Sequence, residues 1–394
     1  MKKHIWMVAY TNYSTDARVR REAETLASLP NYKVSILALK ENNSPKTYFS
    51  ENVEVRESNI AKYRGKSSGR YLLSYLKFML SAFFVCNRLL AKKSLDIVHV
   101  HNMPNFLVFS AIIPFLFRKK IILDIHDTMI ETYSAKFSGM SNRKVLYNIL
   151  RLEESICCAL AHKLICVNHI QRDALIKRGI PAEKIEISMN VPDPKWFNLK
   201  RKKANNNKND QAVFEMVYHG TLAKRLGVDL AICAVAKLIE KIPALEFHII
   251  GDGDDTEEFI ELSTKLGLEK HIHFKKVVPL EALVSILDEM HLGVIANRKN
   301  GATELMLPVK MLEYIALNIP VVVPRLKTIQ YYFTDDMVSY FEPENIDSLA
   351  QAILFAYNNH DIMAEKAKNA RRFLEQYGWE NHKFDLIEMY KTLT

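Results

Sequence analysis

Much that would assign a function quickly is missing from this chain of 394 residues. No Walker-type phosphate loop, nucleophile elbow or Ser/His/Asp spacing is present, which sets aside the commonest hydrolase and phosphate-binding machineries. Cys86, Cys157, Cys158, Cys166 and Cys233 form no Cys-x-x-Cys pair and sit mostly in apolar segments. They read as small core residues in a reducing compartment. His99 and His101 alternate along one stretch, His271 and His273 along another, and neither pair has Cys or carboxylate companions at ligand spacing, so zinc is not expected. Zinc-finger spacings, aromatic RNA-binding signatures and basic helices with heptads are also absent, which argues against nucleic acid. No segment reads as a spanning helix of about twenty apolar residues. The nearest candidate, 71–95, is interrupted by Lys77, Asn87 and Arg88. The start, MKKHIWMVAYTN, has too short an apolar stretch for a signal peptide and reads as a buried strand.

What is present is an ordinary globular composition, 48% hydrophobic and 25% charged, with a net charge of +9 and a pI near 9.1. That excess calls for a negative partner: nucleic acid, anionic lipid or a diphosphate. Residues 62–93 hold eight cations among aromatics and leucines. Such a segment suits an interfacial helix on an anionic membrane, or equally a core helix with basic flanks. Strands are predicted at 4–10, 33–39, 96–101, 120–126, 163–168 and 184–190, alternating with helices at 16–29, 70–93, 106–117, 143–161 and 170–179. The stretch NLKRKKANNNKNDQ, 198–211, reads as a linker. A second series alternates from FEMVYHG at 214–220 to the tail at 379–393. The expectation is an α/β chain of two Rossmann-like domains, 1–197 and 212–377, facing a shared cleft.

Ligands of such folds bind beyond the carboxyl ends of the strands. Asp124, His126, Asp127, Asn168 and Asn190 fall there in the first domain. In the second, Gly301 to Pro324 concentrates the signal. Pro308 suits a helix start, and the free amides behind it, with Lys310 in the first turn, would attract an anion. Glu313, one turn on, could accept two hydrogen bonds from a vicinal diol such as a ribose. The alternative is a Lys310/Glu313 pair on a solvated helix face. Lys224 and Arg225 in HGTLAKRLG could grip a diphosphate or line a solvated loop. Gly251 and Gly253 could admit a phosphate or form a plain tight turn, since the full Gly-x-Gly-x-x-Gly fingerprint is absent. Asp252 and Asp254 make an acidic turn, not taken as a metal site. His126 could donate to a substrate oxygen or be a satisfied histidine beneath a loop.

Six segments, DARVRREAETLA (16–27), VHVHNMPNFLVF (98–109), ILDIHDTMIETY (122–133), YHGTLAKRLGVDLAI (218–232), FHIIGDG (247–253) and LPVKMLEYIALNIPVVVP (307–324), in this order resemble bacterial family-4 glycosyltransferases of the GT-B fold. The resemblance implies retaining sugar transfer from a nucleotide diphosphate donor, most simply a UDP-sugar, without cofactor or bound metal. It puts Glu313 on the ribose, Lys310 and Arg225 on the diphosphate with Lys224 assisting, and Gly251, Gly253, Val277 and Leu312 near the donor. His126 matches the histidine beside the transferred sugar, while Asp16, Arg18 and Asp127 fall on the acceptor side. The final segment, from about 378 to 394, is similar to a helix that crosses back to the first domain. The acceptor would be a cell-envelope glycan or a lipid-linked precursor, reached from the cytoplasm or the inner face of the plasma membrane. A UDP-sugar epimerase of the same fold and a non-catalytic anionic-lipid or nucleic-acid binder are the rival readings. Two departures stand out. Eight positions before Glu313, where many members carry a second glutamate, is Leu305; Glu304, one residue earlier, would be the donor-side acid that reaches the sugar hydroxyls in its place. Many also place an arginine directly after the strand-end glycine and a lysine just before the next one, positions held here by Thr221 and Leu226, so Arg225 would supply charge from a shifted register.

Overall fold

The computed structural model describes residues 2–41, 46–63, 68–136, 143–198 and 213–393. The expected linker, apart from Asn198, lies outside them. The chain divides into two compact units, Met1–Asn190 with Glu380–Thr394, and Val191–Trp379.

The first unit is built on eight strands: β1 (Lys3–Ala9), β2 (Tyr32–Ala38), β3 (Thr47–Ser50), β4 (Val53–Glu57), β5 (Ile97–His101), β6 (Lys120–Ile125), β7 (Lys163–Cys166) and β8 (Ile185–Ile187). Their order is β3-β4-β2-β1-β5-β6-β7-β8, and among the described residues only the β3/β4 pair is antiparallel. Apolar runs such as IWMVA in β1 are buried at every position because helices cover both faces of a parallel sheet. Ile5 stands opposite Val34 on one side and Ile97 on the other. The order reverses between β1 and β5, which makes the carboxyl ends of those strands the switch point where such sheets bind ligands. The last helix, Trp379–Leu393, contributes Tyr390, fully buried, whose hydroxyl lies 2.7 Å from His99 Nδ1.

The second unit has six parallel strands: β9 (Phe214–Thr221), β10 (Leu245–Asp252), β11 (Ile272–Lys275), β12 (Leu292–Val294), β13 (Val321–Pro324) and β14 (Ser339–Phe341). Their order β11-β10-β9-β12-β13-β14 is that of a complete Rossmann sheet, with its switch point between β9 and β12. A core cluster runs from Met216 and Phe247 in the sheet to Leu349 and Ile353 in the helix Ile346–Asn358.

Three local expectations are corrected. Between β2 and the long helix the sequence suggests only a polar connection, but β3 and β4 form there. Charges hide β4, and Glu54 within it is held by Arg56 at 2.6 Å and Lys33 at 3.4 Å. The helix expected at 106–117 is a tight 3₁₀ turn, Asn105–Ala111, followed by the short helix Ile112–Leu116, with Pro114 inside it. Finally, Gly69–Ala91 is long and apolar enough to cross a bilayer despite Lys77, Asn87 and Arg88.

Candidate functional site

In the second unit the helix Val309–Ala316 starts behind Pro308, which occupies the N-cap with extended backbone. Asn318 stops it in the left-handed conformation, and Ile319 N–H closes back on the Tyr314 carbonyl at 2.9 Å. Leu312 and Ile315 lie fully in the core. Leu312 therefore offers a ligand no side-chain surface.

Lys310, in the first turn, folds its stem over the Tyr218 ring, with Nζ 3.7 Å from the ring centroid. Nζ is buried and, among the described residues, has no hydrogen-bond partner. A hypothetical Cβ on Gly220, at the end of β9, would sit 3.3 Å from it. Burial, offset only in part by Glu313 and reinforced by Arg225, pushes the Lys310 ammonium down to about 7. A buried amine with nothing to hold, at a helix start over the switch point, is a site prepared for an anion.

Glu313 does not pair with Lys310, and the solvated i,i+3 pair is therefore not what forms. Its Oε2 takes a 2.6 Å hydrogen bond from His219 Nε2, and His219 Nδ1 lies 2.9 Å from the Tyr314 hydroxyl. With the proton on Nε2, Tyr314 can donate to Nδ1, so the ring is locked from both sides. One Glu313 oxygen is thereby fixed in place. His219 is not singled out in the sequence, although it is the second-last residue of the strand predicted at 214–220 and the strand-end rule that points to His126 would reach it.

Arg225 is exposed in the 3₁₀ turn Lys224–Leu226, near enough to Lys310 and Tyr218 to depress the first and oppose the rise of the second. Lys224 is engaged elsewhere, its Nζ 2.6 Å from Glu258 and its backbone N–H donating to Asp255 at 2.7 Å. A residue not singled out in the sequence, Arg298, anchors this turn. It donates to the Lys224 carbonyl at 2.6 Å and grips both Asp229 oxygens at 2.8 and 2.6 Å. Gly251 and Gly253 are needed for close approach. A Cβ on Gly251 would lie 1.9 Å from the Gly220 carbonyl oxygen, and one on Gly253 2.1 Å from that of Leu222. Glu304 accepts from Lys327 N–H at 2.8 Å, closing the start of the helix Lys327–Tyr332, with Lys299 at 3.7 Å. Val277 is 72% exposed in the loop after β11.

In the first unit, Asp124 at the end of β6 is fully buried and gathers cations. Arg18 grips it at 2.8 and 3.2 Å and also donates to the Ser188 carbonyl at 2.6 Å. Burial opposes its charge, but Arg18 and His126 hold the Asp124 carboxyl well below the usual range. Glu22, equally buried 3.4 Å from Arg18, is instead pushed up by burial. Arg18 is thus spent inside the unit rather than offered at an acceptor surface. Asp16 caps the helix Ala17–Ala27, accepting from Val19 N–H at 3.1 Å. His126 Nε2 lies 3.0 Å from Asp124 Oδ2, which leaves Nδ1 for a ligand. Asn102 fixes the loop by accepting from His126 N–H at 2.8 Å and donating to the Asp127 carbonyl at 2.7 Å; Asp127 itself is exposed.

Sheet register supplies what sequence spacing does not. Glu22, His99, His101 and Asp124 each place a possible ligand atom within 4.8 Å of the others, as do Glu215, Glu246 and His248. In the first group Arg18 already lies on both carboxylates. Burial pushes the Cys86 and Cys166 thiols up to about 12.

Two doubly wound units, the second with a cation at its switch point, define the chain as a two-domain α/β protein of the GT-B type. Sucrose-phosphate synthase from Thermosynechococcus elongatus shares this fold over 100% of this chain and 99% of its own, with a TM-score of 0.78 at 16% identity. HepE from Anabaena, solved in complex with UDP, covers both chains fully with a TM-score of 0.69 at 15% identity. Residues 17–194 match the model of glycosyltransferase family 4, and residues 199–373 that of glycosyl transferases group 1. The chain belongs to the family-4-type glycosyltransferases. Among curated relatives, the amylovoran biosynthesis glycosyltransferase AmsK of Erwinia amylovora is 24% identical over 217 residues, 53% of this chain and 52% of its own. A putative colanic acid biosynthesis glycosyltransferase of Escherichia coli, WcaL, is 26% identical over 204 residues, 51% and 49% of the two chains. The chain spans about half the length of the curated relatives it matches.

Proposed function

We propose that the chain is a retaining glycosyltransferase that moves a hexosyl or N-acetylhexosaminyl group from a nucleotide diphosphate, UDP, to a hydroxyl of a cell-envelope glycan or lipid-linked acceptor in the cytoplasm. The observation that carries this reading is Lys310: a buried, unpartnered ammonium in the first turn of a helix, with Glu313 one turn further along and Arg225 nearby. As the glycosidic bond breaks, negative charge builds on the diphosphate. Lys310, Arg225 and the helix amides are already in position to receive it, so they stabilise the transition state without reorganising. Cationic side chains would then do the work of a divalent ion. Glu313, held by His219, accepts hydrogen bonds from the ribose hydroxyls, and in the first unit His126 keeps Nδ1 for a sugar oxygen. The acceptor hydroxyl attacks the face the leaving group departs from, and a diphosphate oxygen takes its proton.

Removing one such donor costs about 3–4 kcal/mol, roughly a hundred- to a thousandfold in rate. Arg225→Ala should lose that much turnover of the preferred UDP-sugar, measured as UDP release, with the product anomer read by NMR and activity unchanged by EDTA. Near-wild-type turnover in Arg225→Ala would sink the assignment. Interconversion of UDP-sugars without an acceptor would identify an epimerase instead.

A further inference from the structure

Among its described residues, the first unit carries apolar surface that its fold leaves uncovered. On the helix Ser68–Ala91, Phe78, Ala82, Cys86 and Leu89 are buried in the core. About half a turn away, Leu72, Leu76, Leu80 and Phe84 recur every fourth residue and are 38–68% exposed. The helix Arg143–Leu160 repeats the pattern. It buries Leu150, Cys157 and Cys158 and presents Val145, Ile149, Leu152 and Ile156 to solvent. Both helices pack on the turn Asn105–Ala111 and share a single core cluster with β1, β5 and β6, so they flank that turn over the same face of the sheet. Leu116 and Phe117, just beyond the turn, are more than 60% exposed as well. Soluble surfaces scatter exposed apolar residues; two ordered stripes on neighbouring helices imply an occupant.

Charge names the occupant. From Ser58 to Leu95 the sequence contains eight lysines and arginines and no carboxylate. Lys77 and Arg88 are exposed along the first helix, and Lys144 and Arg151 along the second. The acids of the second helix turn inward, Glu154 buried against Arg178 at 2.7 Å and Glu153 bonded to Asn105 at 3.0 Å. Acyl chains below and acidic headgroups above match such a face on both counts. A spanning arrangement would strip Phe78, Ala82, Cys86 and Leu89 from the core, so the first helix lies along the unit rather than through a membrane.

We propose that this face, formed by Ser68–Ala91 and Arg143–Leu160, docks in the plane of an anionic lipid bilayer. The proposal does not depend on which reaction the chain catalyses. The test is flotation of the full chain with vesicles of phosphatidylcholine alone or with one third phosphatidylglycerol. Binding should be about tenfold or more stronger to the anionic vesicles. Leu80→Ser/Phe84→Ser, at exposed positions, should abolish flotation, while Lys77→Glu/Arg88→Glu should remove the preference for phosphatidylglycerol. Both variants should keep the wild-type melting temperature and UDP binding. Failure of the wild type to float, or unchanged flotation of the serine variant, would overturn the proposal. So would a concentration-dependent dimer, seen by sedimentation and broken by the serine variant, without vesicle binding; the face would then belong to a second copy.

Discussion

Lys310 concentrates the tension between stability and function at a single residue. Its ammonium is buried without a partner, an arrangement that disfavours the folded state unless an anion arrives. With the folded value lowered to about 7 and the unfolded value near 10.4, the unfolded chain binds more protons between those limits. The contribution of Lys310 to stability therefore rises with pH across that window and is most unfavourable below it. A bound diphosphate reverses the preference and restores the charge. At pH 8, UDP binding should take up a proton, detected by calorimetry in buffers of different ionisation enthalpy, and affinity should fall as pH rises above about 7. Lys310→Met should abolish the uptake and weaken UDP binding, yet raise the thermal midpoint by about 2 °C or more at pH 7. A lower midpoint, or proton uptake that persists in this variant, would show that another group carries the effect. Sequence placed Lys310 and Glu313 one turn apart but left two readings open, because spacing cannot say where a flexible stem points. The Tyr218 ring and His219, brought in from β9, decide it.

At the level of elements, most strands and helices were legible because parallel strands buried on both faces leave continuous apolar runs. β3 and β4 were not: β3 is only four residues long, and β4 carries Glu54, Arg56 and Glu57 in five positions, with Glu54 and Arg56 paired at 2.6 Å along the strand itself. Distance along the chain hid the partners of Asp124: Arg18 lies 106 positions earlier, on a helix whose pattern shows only an exposed-looking arginine. Asp124→Asn should remove one side of this buried pair and destabilise the first unit by about 3–5 kcal/mol, measured by urea unfolding. In the second unit, the junction between β9 and β10 depends on missing side chains. Gly253→Ala would drive a methyl to 2.1 Å from the Leu222 oxygen, forcing the turn that carries Lys224 and Arg225 to move. Its expected result is a loss of about 1–3 kcal/mol together with weaker UDP binding. Unchanged affinity would mean that the turn does not shape the donor site.

For the whole molecule, the division into units has a thermodynamic consequence. Each unit has its own sheet and core, and every residue assigned here to the nucleotide belongs to Val191–Trp379. A ligand stabilises only the cooperative unit whose opening releases it. UDP at a hundred times its dissociation constant should add about 2.7 kcal/mol to that unit, close to a hundredfold slowing of exchange for amides that open by its global unfolding. Hydrogen exchange followed by mass spectrometry can assign the effect. Peptides from β9, β10, β12 and the helix Val309–Ala316 should gain this protection, while those from β1, β5 and the terminal helix Trp379–Leu393, which packs Tyr390 on the first unit, should change little. Equal protection in both sets would mean that the two units unfold as one, and protection confined to the first would move the nucleotide site to the switch point between β1 and β5.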